Sequence, residues 1–226
     1  MTDEKNANRT AVALGNFDGI HIGHMAVLDA AKSFKRDGLV PVAVLFDEHS
    51  LKAITGIAPP MLMTVADRNE FIINSGLSLK TLIFSEIKNL SPEDFVEKIL
   101  VEKLGAGAVC CGYNYRFGKN AAGTAVTLQQ ICNRLGIACK IAKEVDVAGN
   151  AVSSTEIRSL IEFGDIEKAN RMLGHKFGFS APVIDGDKRG RTLGFPTVNQ
   201  ELPPELVLPK FGVYRTDVTV GNRRYK

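Results

Sequence analysis

Short apolar runs alternate with amphipathic stretches along most of the chain. The runs at 11–14, 39–46, 80–84, 107–112 and 137–142 are rich in aliphatic and small residues and poor in charge, which predicts five buried strands. Pro41 falls near the start of the second run, where a missing ladder donor is tolerated. Between the runs, apolar positions recur at helical spacing. A helix is expected to begin near Gly23. Another should run from Thr64-Val65-Ala66-Asp67, which has the form of a capping box with Asp in place of Glu, to about Ser75. Ser91-Pro92-Glu93-Asp94 combines a capping serine, a first-turn proline and acids at the positive end of the dipole, and its helix should reach about Leu104. Further helices are expected at 126–135, from Ser153-Ser154-Thr155-Glu156, and at 165–173. Strands alternating with helices imply an α/β, Rossmann-like domain: a parallel sheet with helices on both faces. Ligands of such sheets lie outside the carboxyl ends of the strands. The segments at 15–24, 46–49, 112–118 and 153–158 are therefore expected to converge on one sheet edge.

Beyond Gly174 the helical period stops. Glycine, proline and short alternating runs (178–183 and 211–220) take over, and Gly221-Asn222 reads as a hairpin turn. A boundary near 174–178 divides the chain into units of 1–175 and 176–226. The second, with roughly fifty residues, is marginal for an independent all-β core. Because the chain stops at Arg223-Arg224-Tyr225-Lys226, early in an expected return strand, this unit is expected to be an incomplete β-barrel.

Composition narrows the function classes. The chain has 226 residues, 45% hydrophobic and 23% charged, with a net charge of +3, which suits a sizeable core and gives no electrostatic case for a nucleic-acid partner. The four cysteines form no C-x-x-C pair. Cys110 and Cys111 are adjacent inside an apolar run, which reads as buried strand in a reducing compartment. The first nine residues are polar and no run reaches membrane length, so a cytoplasmic protein without a membrane partner is expected.

The densest chemistry lies in Gly15-Asn16-Phe17-Asp18-Gly19-Ile20-His21-Ile22-Gly23-His24. Two histidines three apart can share one side of a first helical turn, where the helix terminus favours anions. Imidazoles donate hydrogen bonds to phosphate oxygens, and phosphoryl or nucleotidyl transfer needs mainly positioning and charge stabilisation. Asn16 can cap the turn or touch phosphate, and Asp18 can serve as a turn acid or as a contact to substrate or metal. The hydroxyls of Ser154 and Thr155 and the fork of Arg158 suit phosphate oxygens at a second helix start. The loop Cys111-Gly112-Tyr113-Asn114-Tyr115-Arg116-Phe117-Gly118-Lys119 mixes aromatics, an amide and cations, fit for a planar ring beside a phosphate; Phe46-Asp47-Glu48-His49 is a weaker instance. In the second unit Gly186, Gly190 and Gly194 are four apart, with Lys188, Arg189 and Arg191 among them. Thr197 and Asn199 follow with oxygens suited to Mg²⁺. This is not a Walker loop, since no G-K-[ST] occurs.

Gly15-Asn-Phe-Asp-Gly-Ile-His-Ile-Gly-His24, Arg116-Phe-Gly-Lys119, Ser153-Ser-Thr-Glu-Ile-Arg158 and Gly194-Phe-Pro-Thr-Val-Asn199 resemble, in the same order, motifs of the prokaryotic bifunctional riboflavin kinase/FAD synthetase family. The resemblance covers the chain from about residue 11. It implies that the first unit transfers AMP from ATP to FMN, giving FAD and pyrophosphate, and that the second phosphorylates riboflavin with ATP and Mg²⁺. It also implies site roles. His21, His24 and Arg158 would be the catalytic groups. Gly15, Asn16, Phe17, Asp18, Gly23, Ser154 and Thr155 would hold ATP, and Phe46, His49, Asn114 and Phe117 the flavin. Gly186, Gly190, Gly194, Thr197 and Asn199 would serve the kinase, with Thr197 and Asn199 on the metal.

The sequence departs from the family in two places. Glu48 and Ser50 stand where family members often carry prolines. The glutamate that serves as kinase base in the family would lie beyond Lys226, with Glu201 and Glu205 too early to replace it. An impaired kinase is the expectation that follows. Two alternatives stand beside the main reading: another H-x-G-H adenylyltransferase, acting on a nicotinamide mononucleotide or phosphopantetheine acceptor, and a non-catalytic flavin or nucleotide-binding module.

Overall fold

The computed structural model describes residues 9–47, 56–187, 189–195, 197–221 and 223–225. Five parallel strands form the central sheet: β1 (Thr10–Leu14), β2 (Val40–Phe46), β3 (Ser78–Leu82), β4 (Ala106–Gly112) and β5 (Ala138–Ala142), in the order β3-β2-β1-β4-β5. All four adjacent pairs are parallel. The third strand lies two residues earlier than its apolar run, because Phe84 opens a short helix of its own (Phe84–Ile87).

The alternation of each strand feeds two cores. Val12, Leu14, Val44, Val109 and Cys111 pack on one face with Leu100, Leu128 and Ile131. Ala11, Ala13, Ala43, Leu45, Ala108 and Cys110 pack on the other with Leu28, Ala31 and Ile72. Both faces are dry, as a parallel sheet requires. Burial pushes the thiols of Cys110 and Cys111 up to about 12, so both behave as small apolar side chains.

Helix α1 (Ile22–Lys32) follows β1, and α2 (Val65–Asn74) starts at Thr64, whose hydroxyl accepts the Asp67 amide. Ser91 caps the next helix as expected, but only Pro92–Asp94 is α-helical. Phe95–Lys103 continues with a wider π pitch, and Leu104 N reaches back five residues to Ile99 O. Helices α3 (Ala125–Arg134), α4 (Ser154–Phe163) and α5 (Ile166–Leu173) begin where their caps predict.

Beyond Gly174 the regular structure is sparse. Val183–Ile184 pairs with Asn199–Gln200, and Val218–Val220 with Arg223–Tyr225, both antiparallel. Val220 stands opposite Arg223, as the expected two-residue hairpin requires. The longer strands expected at 178–183 and 211–220 reduce to these pieces, whose residues are exposed. The chain between them turns back onto the first unit. Leu206 and Val207 are 4% and 2% exposed, and Val207 packs with Leu62, Ile157, Ile161 and Met172.

A candidate adenylyl-transfer site

The order of strands reverses between β1 and β4: one arm of the sheet grows β1-β2-β3, the other β4-β5. Loops leaving the carboxyl ends of these two strands diverge and leave a crevice. A cavity of about 1070 Å³ occupies that position. Gly15, Asn16, Asp18, His21, Gly23 and His24 line it from the β1 side and 112–118 from the β4 side. Phe46 lines it from β2, and 152–155 and Arg158 from the start of α4. The described part of all four chemistry-bearing segments therefore meets at one edge. His49, Glu48 and Ser50 lie outside the described residues, as does Lys188 in the glycine-rich loop.

The turn after β1 is contorted. Phe17 and Ile20 hold φ of 52° and 40°, and Gly19 holds 76°. A non-glycine residue with positive φ costs on the order of 1–3 kcal/mol, and packing here retains two. Phe17 and Ile20 are both fully buried. The Phe17 ring does not line the cavity; it meets the His24 ring edge-on at 5.4 Å and backs it from the core side.

His21 caps α1. Its Nδ1 accepts the His24 amide at 3.2 Å, which leaves the neutral ring's proton on Nε2 as a donor. The two imidazoles stack at 3.6 Å with 16° between planes. Gly23 makes this possible: a Cβ there would stand 3.1 Å from the His21 ring. Burial lowers the His21 pKa to about 4 and holds His24 well below its ordinary value, with His21 repelling a second charge. Both rings are thus neutral hydrogen-bonding groups at physiological pH. His24 Nδ1 is buried with no partner among the described residues.

Asp18, 6% exposed, joins the first and last segments. One carboxylate oxygen accepts the Leu62 amide at 2.8 Å; the other accepts an Arg158 terminal nitrogen at 3.0 Å. Arg158 Nε donates to Pro60 O at 2.7 Å, and the Ser154 hydroxyl donates to Asp18 O at 3.0 Å. The Asp18 side chain therefore positions Arg158. Ser153 caps α4 by accepting the Glu156 amide, and Thr155 is exposed on the cavity wall. On the β4 side Asn114 is exposed. Phe117 is buried, stacked on Tyr115 at 5.8 Å and packed on Phe95 at 5.6 Å.

The sequence reading missed Arg68. It lines a smaller cavity of about 170 Å³ beside the main one, together with Asn16, Asp18, Phe46 and Asp47. Its Nε is buried without a partner among the described residues, and burial lowers its pKa while Asp18 opposes the fall. The available signal was a cation in the first turns of α2, where the dipole disfavours one.

The kinase-type residues do not line this cavity. They converge on each other. Asn199 lies against Gly186, where a Cβ would sit, and Phe195 and Thr197 lie against Gly190; Gly194 faces open space with φ 82°. Thr197 and Asn199 offer neutral oxygens of the kind Mg²⁺ accepts alongside phosphate. Among the described residues no cluster of three His, Cys, Asp or Glu could hold a metal.

Comparison with known proteins matches two stretches of the chain to two family models. A family model described as FAD synthetase matches residues 3–156, and one described as riboflavin kinase matches 173–226. The bifunctional riboflavin kinase/FMN adenylyltransferase of Listeria monocytogenes is 33% identical over 229 residues, covering 99% of this chain and 72% of that protein. The chain belongs to the bifunctional riboflavin kinase/FMN adenylyltransferase family. It is accordingly a member of a nucleotidyltransferase enzyme family devoted to FMN and FAD formation. The Bacillus subtilis member is 30% identical, with 96% of this chain and 70% of that protein covered. A crystal structure titled as a macrolide-efflux protein from Streptococcus pneumoniae superposes with a TM-score of 0.85 at 30% identity, covering 96% of this chain and 72% of that one. No helix among the described residues is long and apolar enough to cross a membrane.

Proposed function

We propose that the first unit, residues 1–175, transfers AMP from ATP to FMN, and that residues 176–226 belong to a riboflavin kinase unit. The observation that carries the first reading is the convergence of His21, His24, Ser154, Thr155 and Arg158 with the 112–118 loop around one cavity at the strand-order reversal. In this reaction an oxygen of the FMN phosphate bonds to the α-phosphorus of ATP. The bond from that phosphorus to the β-phosphate bridge breaks, and pyrophosphate leaves. No group on the protein needs to become covalently attached.

The chain's own residues supply positions and donors. His21 Nε2–H and the His24 ring reach phosphate oxygens as neutral donors, so their contribution is directional hydrogen bonding. Arg158, fixed by Asp18 and Pro60 O, has its second terminal nitrogen without a partner among the described residues, available to a phosphate. Ser154 and Thr155 bring the start of α4, whose dipole favours the same charge. Phe46, Asn114 and the loop through Phe117 offer an aromatic and amide wall for the flavin. Thr197 and Asn199 are proposed to hold Mg²⁺ and nucleotide phosphate for the kinase; the ion, when bound, neutralises phosphate charge.

The test is incubation with FMN, ATP and Mg²⁺, following FAD by chromatography and pyrophosphate by a coupled assay. Folded protein that yields neither would overturn the reading. His24→Ala is expected to lower kcat by about 10²–10³, the scale set by losing one preorganised donor to developing charge. Full activity in that variant would remove His24 from the mechanism.

A further inference from the structure

Residues 59–62 form a strap, extended through Met61 and bending at Leu62, whose two edges serve different parts of the molecule. On one edge Met61 makes a parallel bridge with Leu206: Met61 N donates to Glu205 O at 2.7 Å, and Val207 N donates to Met61 O at 2.9 Å. On the other edge Pro60 O accepts Arg158 Nε at 2.7 Å and Leu62 N donates to Asp18 at 2.8 Å. This division follows from extended backbone, in which the polar groups of successive residues point to opposite sides. The strap thus has one edge on the cationic corner of the adenylylation site and the other on a segment matched by the riboflavin kinase model.

That segment is anchored. Leu206 is 4% and Val207 2% exposed, Val207 packs with Leu62, Ile157 and Ile161, and Lys210 N donates to Ile161 O at 3.3 Å. Ile157 and Ile161 belong to the helix that carries Arg158. Val207 therefore touches the Arg158 corner twice, through the strap and through the helix.

We infer that residues 205–207 of the second unit are positioning residues for adenylyl transfer, because they fix the strap that orients Arg158 and Asp18. The inference rests on the reading of Arg158 as a phosphate-binding group. It makes the second unit a structural partner of the first reaction, apart from any chemistry of its own.

The test is a double-mutant cycle on FAD formation with Val207→Ala and Arg158→Lys. Lysine has one terminal nitrogen in place of the guanidinium fork, so it cannot hold Pro60 O and the Asp18 carboxylate from two separate nitrogens as Arg158 does. Val207→Ala is expected to lower kcat five- to tenfold in the native background and less than twofold in the Arg158→Lys background. Val207→Ile is expected to restore kcat to within twofold. A second readout is the Arg158 Nε–H resonance in ¹⁵N-labelled protein, assigned by its loss in Arg158→Lys. It should exchange with solvent at least tenfold faster in Val207→Ala. Equal losses in both backgrounds, or an unchanged exchange rate, would overturn the inference. If Val207→Ala fails to fold, Val207→Thr, which keeps the shape but puts a hydroxyl into the apolar contact with Leu62, Ile157 and Ile161, carries the same comparisons. If the native chain makes no FAD, the functional reading fails while the exchange measurement still decides whether 205–207 orient Arg158.

Discussion

Gly23 shows how much one missing side chain does here. The His21 ring folds back over the first turn of α1 to take the His24 amide, and a methyl group at residue 23 would stand 3.1–3.2 Å from that ring. Gly23→Ala should change thermal stability little, since the helix preference of alanine is offset by strain on the His21 cap. It should lower the rate of FAD formation at least tenfold, because the ring must move; melting curves beside steady-state rates check both parts. His21 also gives the fold a pH dependence. Its folded pKa, about 4, lies below the ordinary 6.5, so between these values the unfolded chain binds more protons. Stability from this group is present above pH 6.5 and is lost as pH falls toward 4, at up to about 1.4 kcal/mol per pH unit. Denaturant titrations between pH 7 and 4 should show the decline, and His21→Asn should reduce its slope, with the buried His24 supplying the remainder. Neither the neutrality of the two rings nor their stacking was legible in H-x-G-H, because both depend on what surrounds the turn.

Among the elements, those closed by local chemistry were the most legible. Thr64, Ser91, Ser153 and Asp165 each cap a helix where the pattern placed a start, since a capping oxygen and its amide lie three residues apart in one chain. Ser153→Ala is expected to cost about 1 kcal/mol of stability, read from denaturant midpoints, and to raise KM for ATP, because α4 also presents Ser154 and Thr155. Elements set by distant contacts were less legible. The π pitch of Phe95–Lys103 brings Phe95, Val96 and Leu100 into the sheet core together, a demand of packing that the residues' own helix preferences do not announce. β3 lies two residues earlier than its apolar run, paired along β2 from Val42–Ser78 to Phe46–Leu82, with Phe84 taken into the short helix that follows. The tight hairpin joining Asp146–Val147 to Asn150–Ala151 went unpredicted: Ala148 holds φ 52° there, a value alanine rarely signals.

For the whole molecule, the alternation of strands and helices carried the α/β class, the parallel sheet and the edge on which the site would form. Strand order was not in the pattern. The β3-β2-β1-β4-β5 arrangement puts the reversal between β1 and β4, and so places the H-x-G-H turn opposite the 112–118 loop. The candidate residues themselves were readable, because phosphate chemistry draws on few residue types and these lay in short motifs. What each does for its neighbours was not. Asp18 turned out to hold Arg158 and the Leu62 amide, Phe17 to back His24, and Arg68 to stand beside them. The segment at 205–207 carried no motif, yet it borders the strap behind Arg158. The sequence by itself determined periodicity, caps and the inventory of candidate phosphate-binding groups, all of which depend on residues close along the chain. Only the tertiary structure decided strand order, burial and the pairing of Asp18 with Arg158, 140 positions apart, because these follow from contacts that local preference does not encode.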